Sequence, residues 1–223
     1  MIDENLFKRK RVNIDKILQY GFIFSNGLYT YQKEIMNGDF VLFVDIDKFG
    51  IVSTRVIEKA FNEEYTLYKV ESASGAFVGQ IRLEVEEVLK DIVNHCYDNS
   101  IYKYPQTDEV IKYIKDRYNT ELEFLWEKYP EFGVMRNKEN NKWYGLLSSI
   151  NKDKLIKGVK GEIEVVNLRI QIDEESPVDY HSIFPAYHMN KKSWVTVILD
   201  DSLPIDKIYE MIDISYQLSK KAK

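Results

Sequence analysis

Three histidines and one cysteine are the residues of this 223-residue chain best suited to nucleophilic or acid-base chemistry. His95 directly precedes Cys96 in a stretch of helical periodicity. Neighbouring helix positions point about 100° apart, so the two do not face a common site. His181 follows Asp179 by two residues, a spacing that fits a metal or acid-base pair, although a solvated loop pair is the simpler reading. His188 would serve a small ligand or a reaction only if a pocket near Tyr187 and Trp194 brought a carboxylate to it. The acidic runs Asp173-Glu174-Glu175 and Glu84, Glu86, Glu87 could bind a hard cation, but such runs are usually wet faces. Gly75 and Gly79 lack the Lys-Ser/Thr of a phosphate-binding loop and read as helix-start packing. No GxGxxG, GxSxG or HExxH occurs. The expectation is a non-catalytic protein with no cofactor and no metal.

Charge is more informative. From Arg136 to Lys160 the bases are Arg136, Lys138, Lys142, Lys152, Lys154, Lys157 and Lys160, against the acids Glu139 and Asp153. That local excess sits in a chain of net charge −5. A second basic point is His188-Met189-Asn190-Lys191-Lys192, just ahead of Trp194, and the tail adds Lys220, Lys221 and Lys223. Lysines and an asparagine beside aromatics can hold phosphates and stack bases. Lysines on hairpins also keep sheet edges soluble, and that reading stays open.

The elements that must carry these residues follow from periodicity. Asn13 is a plausible N-cap for a helix with Ile14, Ile17 and Leu18 on one face. Phe22 to Phe24 and Leu28 to Tyr31 flank Ser25-Asn26-Gly27, a strong hairpin signal. Strands follow at Phe40 to Ile46, Ile51 to Ile57 and Tyr65 to Val70. A long helix from Gly75 to Cys96 places Val78, Ile81, Val85, Val88, Leu89, Ile92 and Cys96 on one face. The aperiodic segment 98–106 is the expected boundary between domains 1–100 and 101–223. In the second domain a helix opens at Thr107, with Val110, Ile111 and Ile114 facing a core. Strands run from Phe132 to Arg136, Lys142 to Ser149, Glu162 to Ile172 and Trp194 to Leu199, with Asn140-Asn141 turning the first hairpin. A short helix follows Pro177. Pro204 opens a terminal helix with Ile205, Ile208, Ile212 and Tyr216 on one face. The fold class is α+β: two helix-sheet-helix domains with antiparallel sheets.

One thiol excludes an internal disulfide. The charged N-terminus is not a signal peptide, and no apolar run reaches the roughly 20 residues of a membrane span. The cytoplasm is the default address, and no membrane partner is expected.

The segment Phe184-Pro185-Ala186-Tyr187-His188-Met189-Asn190-Lys191-Lys192-Ser193-Trp194 resembles the signature of the MmcQ/YjbR family, Pro-Gly/Ala-Tyr-His-Met-Asn-Lys-Lys-x-Trp. Lys142 to Ser148 looks like that family's central strand, Val166-Asn167-Leu168-Arg169 like its "VNLK" strand, and Leu203-Pro204 with Asp213-Ile214-Ser215-Tyr216 like its C-terminus. The likeness spans about residues 105–223. It implies a compact α+β unit of double-wing or secretion-chaperone-like shape, with DNA binding as the attributed role. The wings would be the Asn140-Asn141 hairpin and the loops around Lys154 and Lys191. Two departures stand out: Ser193 replaces a frequent histidine, and Asn151 to Gly161 is lengthened. Alternatively, Pro185, Tyr187, Met189 and Trp194 lock a tight loop on the sheet while Asn190 bonds its backbone.

Taken together, the candidate nucleic-acid-binding residues are Arg136, Lys142, Lys154, Lys157, His188, Asn190, Lys191, Lys192 and Trp194. DNA is the first expected partner. A second protein is the alternative, since a helix-sheet-helix unit is similar to secretion chaperones that bind peptides or dimerise. The first hundred residues, with 12 Lys and Arg against 16 Asp and Glu, suit a basic partner.

Overall fold

The computed structural model describes residues 4–7, 9–171 and 177–221. They form two compact units, Met1–Lys103 and Tyr104–Lys223, so the division falls inside the predicted linker. The acidic run Asp173-Glu174-Glu175, the strand end at Ile172 and the tail residue Lys223 lie outside the described residues.

The first unit is a meander laid against a long helix. Strand β1 (Lys10–Val12) leads to helix α1 (Ile14–Tyr20), which Asn13 caps by accepting the Lys16 N–H at 3.2 Å. Of the predicted apolar face only Ile17 is buried; Ile14 and Leu18 are exposed. Strands β2 (Ile23–Ser25), β3 (Leu28–Ile35), β4 (Phe40–Ile46), β5 (Val52–Glu58) and β6 (Glu63–Glu64) pair antiparallel in sequence order. Asn26 and Gly27 both take positive φ, 51° and 81°, the backbone of a tight type I′ hairpin. Helix α2 (Ala76–Cys96) buries every apolar position of the predicted stripe. That stripe meets Phe40, Leu42, Val44 and Ile46 of β4 in one core. Strand β7 (Tyr97–Asn99) returns to pair with β1.

Tyr65 to Val70 is not a strand. Leu67–Lys69 is a 3₁₀ turn. Tyr68 is drawn into the core with its hydroxyl 2.9 Å from Thr54 Oγ1, and Arg82 of α2 donates to the Tyr68 and Val70 carbonyls at 2.9 and 2.5 Å. These carbonyls find their partner on a helix, which removes the need for a neighbouring strand.

In the second unit helix α3 runs Pro105–Tyr118, two residues earlier than expected. Proline at the first helical position has no N–H to leave unbonded. Thr107 lies inside the helix and donates its hydroxyl to Glu164 at 2.6 Å, and the same carboxylate accepts the Tyr104 N–H at 3.1 Å. Val110 and Ile114 are buried, whereas Ile111 is only half-buried. The strands are β8 (Glu123–Phe124), β9 (Gly133–Arg136), β10 (Trp143–Asn151), β11 (Glu162–Arg169), β12 (Ile183–Pro185) and β13 (Trp194–Ile198). They form one antiparallel sheet in the order β12-β13-β11-β10-β9-β8. Helix α4 (Ile205–Lys221) packs on it, burying Ile208 and Ile212. Ser215 of α4 donates to the Tyr144 carbonyl and accepts the Arg169 N–H at 2.7 Å, stapling the helix to β10 and β11.

No helix follows Pro177. Asp179 there accepts the backbone N–H groups of His181, Ser182 and Ile183 at 2.8, 2.8 and 2.7 Å and the Ser182 hydroxyl at 2.6 Å. One carboxylate thus gathers N–H groups that a helix would otherwise have to satisfy.

The β9–β10 register shifts between Trp143 and Gly145. A side chain at Gly145 would overlap the buried Met135 side chain. Gly145→Ala should therefore destabilise the second unit by about 1–3 kcal/mol, read as a lower urea midpoint.

Candidate nucleic-acid interface

The nine candidate residues divide between the two ends of the β9-β10-β11-β13 sheet. Strand β10 starts at Trp143, beside the Asn140-Asn141 turn, and finishes at Asn151, where the long β10–β11 loop begins. Nine residues at about 3.3 Å each put these ends roughly 26 Å apart. Arg136 and Lys142 lie at the turn end, together with Lys191, Lys192 and Trp194, because Trp194 pairs with Arg169 and Arg169 follows the partner of Gly145. Lys154 and Lys157 lie at the far end. The basic run from Arg136 to Lys160, continuous in sequence, is thus divided between the two ends of the sheet by the strand that joins them.

At the turn end Arg136 and the turn asparagines are committed to structure, while Lys142 is exposed. Arg136 Nε donates to both oxygens of Glu123, at 3.0 and 2.8 Å, and Nη1 to the Asn141 carbonyl at 2.8 Å. The turn is no free wing. Asn137 and Asn140 donate to Ser219 Oγ and Ser219 O, each at 2.9 Å, and Lys220 pairs with Glu139 at 2.9 Å. All three bonds fasten the turn to α4.

The signature loop is built around a buried relay. The Tyr187 N–H donates to Thr196 Oγ1 at 2.8 Å, and Thr196 donates to Asn167 Oδ1 at 2.5 Å. Asn167 and Thr196 are inaccessible to solvent, so each bond satisfies a group with no water to fall back on. Asn190 Oδ1 accepts the Lys192 N–H at 3.0 Å and the Asn190 carbonyl accepts the Ser193 N–H at 3.0 Å, closing a tight turn. Asn190 thus spends its side-chain acceptor on the loop itself. Trp194 is 4% exposed and cannot line a surface. His188 is exposed in the left-handed region at φ 59°, its ring 4.0 Å from that of Tyr187. No carboxylate is bonded to His188 among the described residues, so the pocket chemistry considered for it has no second group. Lys191 and Lys192 are exposed.

The far end is different. Residues 152–161 form an ordered tip. A 3₁₀ turn at Lys152–Lys154 is capped by Asn151, and Lys152 N–H bonds the Gly161 carbonyl at 2.7 Å. Gly158 and Gly161 take φ 84° and 107°, which side chains rarely adopt. The tip's acid, Asp153, accepts the Gly158 N–H at 2.7 Å. Lys154, Lys157 and Lys160 are exposed and Lys152 half-exposed, and none forms an ion pair among the described residues. Ile156 and Val159 are exposed between them, at 37% and 40%.

Sequence reasoning passed over Arg169, a single arginine at the end of an apolar strand. Its guanidinium lies 4.7 Å from the Trp194 ring centroid and Nε donates to the Trp143 carbonyl at 2.5 Å. The signal was the cross-strand register that sets it opposite Trp194. Of the pairs considered for catalysis, His95 is exposed while Cys96 is buried, its thiol pushed up to about 11 by burial. Asp179 meets the backbone of His181, and its carboxyl is held well below the usual range by four donors that outweigh partial burial.

The relay predicts that Thr196→Val, which leaves Asn167 Oδ1 and the Tyr187 N–H without their partner, costs about 1–3 kcal/mol in urea unfolding. A depressed carboxyl stabilises the fold above its unfolded pKa of about 3.9, and that contribution is lost as pH falls below it. Asp179→Asn should therefore flatten the loss of stability of the native protein between about pH 4 and pH 2.

The YjbR family model matches residues 115–218. The protein YyaQ of Bacillus subtilis (strain 168) is 33% identical over 114 residues, 51% of this chain and 97% of YyaQ. The Escherichia coli (strain K12) protein YjbR is 47% identical over 38 residues, 17% of this chain and 32% of YjbR. Among solved structures, a Pseudomonas syringae protein aligns with TM-score 0.45 and 33% identity, over 50% of this chain and 97% of its own. A Deinococcus radiodurans protein with a DUF419 domain aligns with TM-score 0.36 and 22% identity, over 52% and 78%. With the Pro185-to-Trp194 signature seated on its sheet and YyaQ matched almost end to end, the chain belongs, through its second unit, to the YjbR family.

Proposed function

We propose that this protein is a non-catalytic nucleic-acid binder that grips phosphates through the 152–161 wing. The observation that carries this reading is the group of four lysines on one hairpin tip, none ion-paired among the described residues, whose single acid, Asp153, accepts the Gly158 N–H. Lys154 and Lys157 keep the role expected of them, joined by Lys152 and Lys160. Ile156 and Val159 give the tip an apolar edge that can rest on a sugar or a groove wall. The polar side chains of the tip are four lysines and one aspartate, point charges suited to phosphate, so the binding proposed is sequence-independent and electrostatic. Lys191 and Lys192, roughly 26 Å away along the sheet, reach a separate stretch of backbone or none.

A second reading, a protein-docking module, draws on the first unit. Ile23 and Phe24 on β2 are 71% and 58% exposed, and Leu28 across the hairpin is 39% exposed. Ile23 and Leu28 lie on one face of the hairpin and Phe24 on the other, so the end of the meander exposes apolar side chains on both faces, of the kind that marks an interaction surface.

Fluorescence anisotropy with labelled duplex DNA separates the two. Four phosphate contacts give a slope near −3.6 in log K against log salt, hence a roughly hundredfold loss from 50 to 200 mM salt. Lys154→Ala/Lys157→Ala should bring that slope to about −1.8, and Lys191→Ala/Lys192→Ala should leave it nearly unchanged. Binding that ignores salt, or that ignores the wing substitutions, rejects the wing. Phe24→Ser with an altered oligomeric mass and unaltered DNA binding would support the docking surface.

A further inference from the structure

We propose that Arg169, Lys192 and Ser193 form a binding site for a phosphate group carried by a small molecule, separate from the wing. A cavity of about 270 Å³ is lined by Arg169, Ile170, Gln171, Lys192, Ser193 and Leu218. Its size falls just short of the roughly 300–1,000 Å³ of sites for drug-sized ligands, so it suits a small phosphorylated group.

Arg169 is the reason to expect an anion. Its plane is fixed on one side by Trp194, 4.7 Å away, and on one edge by the Nε bond to the Trp143 carbonyl. Its backbone is fixed by Ser215 of α4. No carboxylate pairs with it among the described residues, and its Nη groups have no hydrogen-bond partner there. Burial alone acts on its charge, lowering the pKa, with no anion beside it to offset the desolvation. A part-buried guanidinium held rigid and left without a counter-ion is the arrangement that a bidentate oxyanion completes. The other surface arginine of this sheet end, Arg136, already has Glu123 in that role. Lys192 supplies a second positive charge, suited to a dianion. Ser193, whose N–H is used inside the loop turn, presents its hydroxyl from the same wall. The Ile170 N–H bonds the Ser193 carbonyl at 3.0 Å, which ties the two walls of the cavity together.

The proposal does not rest on nucleic-acid binding by the wing. The test is amide NMR of the full chain at constant ionic strength, titrated with inorganic phosphate, glycerol 3-phosphate and, as control, chloride. Saturable shifts at Ile170, Lys192, Ser193 and the Arg169 Nε–H with phosphate or glycerol 3-phosphate, absent with chloride, are expected. Tighter binding of glycerol 3-phosphate would assign the site to a phosphorylated metabolite, and equal binding to free phosphate. Lys192→Gln, at an exposed position, should weaken binding about tenfold without changing the fold, and Arg169→Gln should abolish it. Because Arg169 also holds Trp143 and Trp194, Lys192→Gln is the deciding variant. Absence of saturation by about 10 mM, or shifts that Lys192→Gln leaves intact, overturns the site. Lys154→Ala/Lys157→Ala should leave it untouched, which keeps its failure distinct from failure of the wing.

Discussion

Thr196 takes the Tyr187 N–H and gives its own proton to Asn167, and the second unit is arranged around that buried pair of bonds. Asn167 sits on β11 and Thr196 opposite it on β13, so the relay crosses the sheet and reaches into the loop that precedes β13. No solvent reaches either side chain, which makes the bonds obligatory and the loop path single-valued. The Asn190 turn then closes the loop, and Trp194 is delivered into the core at the first residue of β13. The family signature is therefore first a folding instruction. Asn190 closes the loop on its own backbone and the buried Trp194 anchors its end, while Thr196 takes the backbone N–H at residue 187.

This constraint has an electrostatic consequence. Fixing Trp194 opposite Arg169 puts a guanidinium against an indole face at the turn end of the sheet, where Arg136 and the Asn140-Asn141 turn are already tied to Glu123 and α4. Among the described residues the bases without an ion-pair partner are Arg169, Lys138, Lys142, Lys191 and Lys192 at the turn end and the 152–160 lysines at the other. Salt screens the two groups from each other, since roughly 26 Å exceeds the Debye length of about 8–10 Å at ordinary ionic strength. They are two separate basic features rather than one surface.

The first unit follows simpler physics. A meander with short turns leaves one face for α2, and the α2 stripe from Ile81 to Cys96 fills it. On the other face Asp45, 6% exposed, accepts from Thr30 at 2.6 Å and from Arg55 at 3.2 Å, and Arg55 lies over Phe43. That face is covered by its own side chains. Exposed apolar side chains are scattered over this unit, at Ile23 and Phe24 of β2, at Phe61 and at Phe77 among others.

Local chemistry alone determined a good deal of this protein. The Asn26-Gly27 turn, the Asn13 cap, the α2 stripe and the α+β class with antiparallel sheets could be read from residue order, because each depends on neighbours within a turn or two of chain. The Pro185-to-Trp194 segment announced its family for the same reason: its residues act on one another. Tertiary structure decided the rest. Tyr65 to Val70 has strand composition, yet Arg82 from a distant helix took its carbonyls. A short helix is expected after Pro177, yet one aspartate collected the N–H groups there. The basic residues counted between Arg136 and Lys160 look like one patch in sequence, but a nine-residue strand carries them to opposite ends of a sheet. Whether a lysine or arginine is free to meet a ligand depends on which acid the fold sets beside it, and sequence order contains no record of that distance.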